Sequence, residues 1–414
     1  MADDAAAAAR HVLQLTPLNP AFRDDPHLFL DAIRAASPVM RDEAAGVFFL
    51  TRYGDVRGVL TDLSLWRDPA KAEEAAVLTR RILEQSGERQ AEEERGRSIL
   101  LIDDPDHARI RGPLSQALYK RVAKFRPQVE RIVETTLDAL EGKSRFDVMA
   151  GFALPIPIDV IAEILGVDHA RLTEFRDWSE GIIQSLNPLR TPEQTEHMMA
   201  ASEALWTYMN GLMAARRREP ADDLITDMVQ LQAQGADISD IELTTNLIGL
   251  LVGGNLTTTD LIGNAVRNFL LNPGELAKLL ADPSLIGAAV EEALRFEPPV
   301  DITGRIASHE LDLGGCPVHA TQSMTLSLRG ANRDPEVYED PHRFDISRKK
   351  TPHVAFGGGA HICIGAPLAR LEAQVALLKL FQRFPNMRLA DPEAPPAWRT
   401  LPFFRGLERL EVAA

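Results

Sequence analysis

Cysteine is nearly missing from this chain. Only Cys316 and Cys363 occur in 414 residues, too few for a disulfide framework or a cysteine-rich zinc site. Long apolar runs are missing too. The most apolar stretch, residues 247–256, is interrupted by glycines and Asn255, and at about ten residues it is half of what a membrane span needs. The N-terminus has no basic segment leading into an apolar one, so no secretory signal is expected. Basic residues are the minority: 45 Lys and Arg stand against 60 Asp and Glu, a formal net charge of −15. A chain this acidic lacks the cations that neutralise phosphates, which argues against nucleic-acid binding. No fixed-period repeat or low-complexity linker divides the sequence. The expectation is one soluble, cytoplasmic domain over 1–414 with free thiols, in which residues 1–20 form a loosely ordered arm.

What is present is ordinary globular composition, 45% hydrophobic and 25% charged. Helical periodicity dominates. Val129, Ile132, Val133, Leu137 and Leu140 share one helix face; Ile158, Ile161, Ala162 and Leu165 share another, ended by Gly166. Strand-like runs are few and short: 47–50, 302–306, 311–313, 324–328 and 407–412. The fold class is mainly α with a minor β part. The longest helix starts at Ser239-Asp240-Ile241-Glu242, a capping box, and stops at Asn272-Pro273-Gly274. At about 50 Å it would cross the whole molecule. Its middle, Gly253-Gly254-Asn255-Leu256-Thr257-Thr258-Thr259-Asp260, is poor in helix formers. Two readings stay open there: close packing through glycine, or a local bulge where a ligand nears the backbone and a Thr hydroxyl is freed.

The most informative stretch runs from Phe356 through Gly357, Gly358, Gly359, His361, Cys363 and Gly365 to Pro367. It precedes an amphipathic helix with Leu368, Leu371, Val375 and Leu378 on its apolar face, and Pro367 suits a first turn. A dinucleotide loop is a poor match, because Ile362 falls where the third glycine belongs. A cysteine at a helix N-terminus has a chemical use: the dipole and free N–H groups favour its thiolate. That thiolate can be a nucleophile or a metal ligand. On haem iron it favours O–O cleavage.

The pattern Phe356-x-x-Gly359-x-His361-x-Cys363-x-Gly365 resembles the haem-binding signature of the cytochromes P450. The likeness extends over about 40–410. It implies a triangular-prism fold, a single large domain enclosing haem b, with Cys363 as the iron ligand and 67–100 as a variable substrate-access segment. Glu292 and Arg295, one helical turn apart, resemble the family's E-x-x-R motif, and with Arg343 they look like its Glu-Arg-Arg triad. His107, Arg111, Arg305 and His361 match the family's propionate donors. Phe356 and Gly365 complete the loop around the sulfur. Gly253, Gly254 and Thr257 match the oxygen-activating motif, but Leu256 stands where the family has an acid. A proton relay rerouted through Asn255, Thr258 and ordered water, with Asp260 near the same face, is the expectation, beside an atypical outcome such as coupling, desaturation or rearrangement, or a haem-binding protein without turnover.

The resemblance also implies a monooxygenase that inserts one atom of O2 into an apolar small molecule. Pocket candidates by position are Gly249, Val252, Gly253, Val300, Asp301, Ile302, Phe403 and Phe404. Residues 107–126 carry six Lys or Arg and no acid. With Lys349 and Lys350, the residues Arg109, Lys120, Arg121 and Lys124 look like a docking patch for a separate ferredoxin, itself fed by a ferredoxin reductase.

Overall fold

The computed structural model describes residues 11–77, 79, 96–187 and 189–414. The long helix is where its capping box places it. It spans Asp240–Leu271, with the Ser239 side chain accepting from Glu242 N–H and the Glu242 side chain accepting from Ser239 N–H. It is buried along much of its length, Leu247, Leu251, Leu261, Ile262, Ala265, Val266 and Phe269 among them. Helices Pro155–Leu165, Leu172–Ile182, Pro192–Arg218, Ile286–Phe296 and Ala366–Arg383 pack against it. Gly166 ends the first of these at φ 79°, the left-handed conformation that its lack of a Cβ permits.

The β part is peripheral. One sheet of four strands has the order Val39–Asp42, Val47–Leu50, Ser323–Ser327, Ile302–Ile306. Its middle pair is parallel, Val47 facing Ser323, and its other pairs are antiparallel, Arg305 facing Met324. The expected run 407–412 divides into two short strands, Leu407–Arg409 and Glu411–Ala413, in different sheets.

Two expectations are corrected. The part of the N-terminal arm from residue 11 onward is anchored: Val12 and Leu15 are buried, and Val12 N–H donates to Asp42 Oδ2 at 2.7 Å. Residues 1–10 lie outside the described residues, as do 78 and 80–95 of the access segment. The mid-helix bulge is absent, because Asp240–Leu271 is continuous α-helix. Its adjacent glycines do different jobs. A Cβ on Gly254 would sit 3.3 Å from the Ile161 side chain, so that glycine permits close helix packing, whereas nothing lies within 4 Å of a Cβ on Gly253. Burial on the other faces outweighs the poor propensity of the segment.

Candidate active site

The cysteine loop is built by glycines and closed by its own backbone. Gly359 has φ 66°, and a Cβ there would lie 2.3 Å from the Leu60 carbonyl, so no larger residue fits. Cys363 N–H donates to the Phe356 carbonyl at 2.9 Å. The sulfur then precedes helix Ala366–Arg383 by one turn. Burial pushes the Cys363 thiol up, while the N–H groups of Gly365 and Ala366 and the charges of Arg111 and Arg370 pull it down. The Phe356 ring lies under Arg370, 4.6 Å from its guanidinium carbon, and Glu291 fixes that guanidinium at 2.7 Å and also meets His353.

One edge of the site is a nest of basic side chains. Arg111, on helix Asp106–Val122, donates to the Ile362 carbonyl and so ties that helix to the cysteine loop. The His107 and His361 rings lie 4.2 Å apart between centroids. Arg305 donates to Gly304 O at 2.8 Å and Gly358 O at 3.4 Å, both neutral. Burial with the neighbouring charges of His107, Arg305 and Arg67 holds His361 at about 3, and burial holds Arg305 at about 10. His107 is lowered by burial and by Arg111, and its buried Nε2 has no partner. A cavity of about 210 Å³ opens beside them, lined by His107, Arg305, His361, Lys71 and Asp103 among others. Asp62 and Asp104 also line it, and on its basic side Arg305, bonded only to neutral carbonyls, and the unpartnered His107 Nε2 are suited to an anion such as a haem propionate.

On the long helix, Gly249 and Gly253 are exposed and Thr257 is half-buried, while Val252 and Leu256 are covered. Positions 249, 253 and 257 recur every fourth residue and share one open face. Thr257 Oγ1 donates to the Gly253 carbonyl at 2.9 Å.

These residues, the cysteine loop and the fold together match one known family. The Cytochrome P450 family model covers residues 68–397. Cytochrome P450 107B1 of Saccharopolyspora erythraea is 37% identical over 406 residues, 97% of this chain and 98% of that protein. The chain is a cytochrome P450. The 6-deoxyerythronolide B hydroxylase of the same organism is 37% identical over 75% of this chain and 76% of its own length. Among solved structures, CalO2 matches with a TM-score of 0.88 at 29% identity, covering 96% of this chain and 98% of that one. P450BioI, solved with an acyl carrier protein bearing hexadec-9Z-enoic acid, matches with a TM-score of 0.85 at 31% identity, covering 96% and 100%. This P450 is therefore a haem-thiolate monooxygenase of mainly α fold with a small β part. Among the described residues, no helix is long and apolar enough to cross a membrane.

Several expected site residues lie elsewhere than the sequence suggested. The third member of the buried triad is Arg348, not Arg343. Glu292 takes Arg295 at 2.7 and 2.8 Å and Arg348 Nε at 3.1 Å, whereas Arg343 is exposed and pairs with Asp345 at 2.6 Å. Arg343 contributes only its carbonyl, which accepts from Arg295 and Arg348. Asp301 is not open to a pocket. It is 3% exposed and pairs with Arg329 at 2.5 Å. That pair belongs to a second buried cluster, Glu297 with Arg329, Arg405 and Arg333, which the sequence did not reveal.

The relay candidates also move. At about 100° per residue, Asn255 and Thr258 fall on the far side of the helix from Gly253, and both are buried. Asp260 is on the right face, but it is fully buried in an ion pair with Arg399 beneath Gly406. Arg109 and Arg121 are removed from the docking patch, because their charges are matched internally by Glu242 and Asp106, and by Asp227 and Asp222. Lys120, Lys124, Lys349 and Lys350 are exposed. Pocket candidates Val300 and Phe404 are brought together in a β-bridge, with Asp301 N–H on the Phe403 carbonyl at 2.9 Å. Ile302 is half-buried beside them.

Proposed function

We propose that Cys363 is the axial thiolate of the haem, and that the enzyme oxygenates an apolar small molecule with electrons from a separate ferredoxin and ferredoxin reductase. The observation that carries this is the convergence on the cysteine loop. Arg111 holds the carbonyl of Ile362, the residue before the thiol, and the His107–His361 stack stands beside Arg305, whose guanidinium bonds only neutral carbonyls. Haem bound there supplies oxygen activation. The chain's own residues do the rest. Cys363 holds the iron, with Gly365 and Ala366 N–H groups aimed at the sulfur. His107, Arg111, Arg305 and His361 hold the propionates.

Thr257 Oγ1 presents a hydroxyl on the open helix face, and the Gly249–Gly253 strip leaves room there for substrate and water. With Leu256 unable to carry a proton and Asp260 enclosed, the relay we infer runs through water along this strip to Thr257. Val252, Val300, Ile302, Phe403 and Phe404 supply an apolar lining. Related structures solved with testosterone and with myristic acid, at TM-scores of 0.82 and 0.86, support an apolar substrate class. Exposed Lys120, Lys124, Lys349 and Lys350, in a chain of net charge −15, support docking of an acidic electron donor.

The test is the spectrum of the dithionite-reduced protein under carbon monoxide. A strongly red-shifted Soret band is expected, and it should vanish in Cys363→Ala; a histidine-type band in the wild type would end the proposal. The water relay is tested by Leu256→Glu. Product formed per NAD(P)H should change by less than about twofold. A large gain on the native substrate would show that the enzyme lacks an effective relay.

A further inference from the structure

Arg67 is a guanidinium that its surroundings leave unmatched. Its Nε donates to the Leu100 carbonyl at 2.9 Å, and its Nη1 donates to Thr303 Oγ1 at 2.8 Å and to the Gly304 carbonyl at 2.6 Å. All three acceptors are neutral. Among the described residues its guanidinium forms no ion pair, and its Nη2 makes no hydrogen bond. Asp103 accepts from the Arg67 backbone N–H at 2.6 Å, but its carboxylate pairs with Lys71 at 2.8 Å. Burial, with Arg305 alongside, pulls Arg67 down to about 9. Arg67 is half-buried, and it lacks the acid partners that buried Arg295, Arg329 and Arg405 have.

Its position says which anion is missing. Thr303 and Arg305 are two apart on strand Ile302–Ile306, so their side chains project from the same face. By bonding Thr303, Arg67 stands on the Arg305 face. The same guanidinium spans two chain segments, the stretch around Leu100 and the strand that carries Ile302.

We propose that Arg67 is a further ligand of a haem propionate, beyond His107, Arg111, Arg305 and His361, and that it ties the bound cofactor to the substrate-access segment through Leu100. The idea rests on the haem reading of the cysteine loop. The chemistry sought is a carboxylate, and the free Nη2 N–H groups are its donors. A cation held next to a propionate favours the reduced haem, which carries one more negative charge, so Arg67 should also raise the reduction potential.

The test uses wild-type, Arg67→Gln and Arg67→Lys holoproteins. Haem transfer to excess apomyoglobin and the midpoint potential are measured on each. Arg67→Gln should lose haem about tenfold faster, as expected for a lost charge-assisted hydrogen bond, and should have a more negative potential. Arg67→Lys keeps the charge but cannot span Leu100 and Gly304 together, so its potential should stay near wild type while haem still leaves faster. Transfer within about twofold of wild type with an unchanged potential overturns the proposal. So does a fall in melting temperature with both readouts unmoved, which would make Arg67 only a clamp. So does weakened myristate binding alone, which would assign the cation to a substrate carboxylate. If Arg67→Gln does not accumulate as holoprotein, Arg67→Lys decides: haem transfer equal to wild type overturns the idea. A wild type without the thiolate signature under carbon monoxide would instead refute the haem reading itself.

Discussion

The interior of this P450 holds two kinds of charged region. Around Glu292 every charge is answered: its carboxylate meets Arg295, Arg348 and the Asp345 N–H, and the spare guanidinium hydrogens go to carbonyls of Asn332, Pro341, Glu339, Asp340 and Arg343. At the edge of the cysteine loop the arginine charges are unanswered: Arg67 and Arg305 bond only neutral acceptors. Both regions contain arginines, and burial counts alone would not separate them. The first locks the loop 332–348 onto helix Ile286–Phe296 and is complete as it stands. The second is complete only with an anion. Matched buried charge marks architecture, and unmatched buried charge marks a binding site.

The largest effect expected from this contrast is at the matched cluster. Arg348→Ala strips one cation from a buried carboxylate and should cost about 3–5 kcal/mol in denaturant unfolding of the holoprotein. Arg343→Ala removes an exposed surface pair and should change stability by less than about 0.5 kcal/mol. Equal effects would restore Arg343 to the triad and break the comparison.

Acid should separate the regions next. His361 lies at about 3 in the fold, below the roughly 6.5 of an unfolded histidine. Its neutral form is therefore the stable one, and the stability it contributes is full above about pH 6.5 and is lost as pH falls from there. Burial alone would raise Glu297, yet Arg329, Arg405 and Arg333 hold it at about 2. Its contribution is full above about pH 4.5 and disappears as pH falls toward 2. A pH titration followed in parallel by the Soret band and by far-ultraviolet circular dichroism should show the haem environment changing first. Coincident transitions would mean that the nest has no separate stability.

The smallest effect concerns the surface, where the same distinction applies. Arg109 and Arg121 are matched by acids of their own chain, whereas Lys120, Lys124, Lys349 and Lys350 are exposed. Charge reversal at the four lysines should slow ferredoxin-driven reduction several-fold at low salt, with the difference fading as salt rises. Arg121→Gln should leave that salt dependence unchanged while weakening its contact to helix Leu224–Ala233.

Much of this was legible in the residues. The capping box at Ser239, the stop at Gly166, the strand 302–306 and the glycine–cysteine loop are local patterns, and local patterns need only neighbours in sequence. The loop carried the haem reading because glycine freedom, a thiol and a helix start coincide within a dozen positions. Arg348 was not legible, because Arg343 and Arg348 both follow Asn332 in a stretch without regular structure, and only the path of that stretch decides which guanidinium reaches Glu292. Arg67 was invisible for a similar reason: its partners, Leu100, Thr303 and Gly304, are far away in the chain.

By itself, then, the sequence determined the helical class, the extent of the long central helix, the cysteine loop and the kind of cofactor that loop accepts. The tertiary structure decided which charges are neutralised inside the fold and which are left for a ligand. Asp260 shows the physical reason. Its spacing from Leu256 sets its face of the helix, but whether that carboxylate is open or enclosed depends on Arg399 and Gly406, more than a hundred residues away, being folded over it.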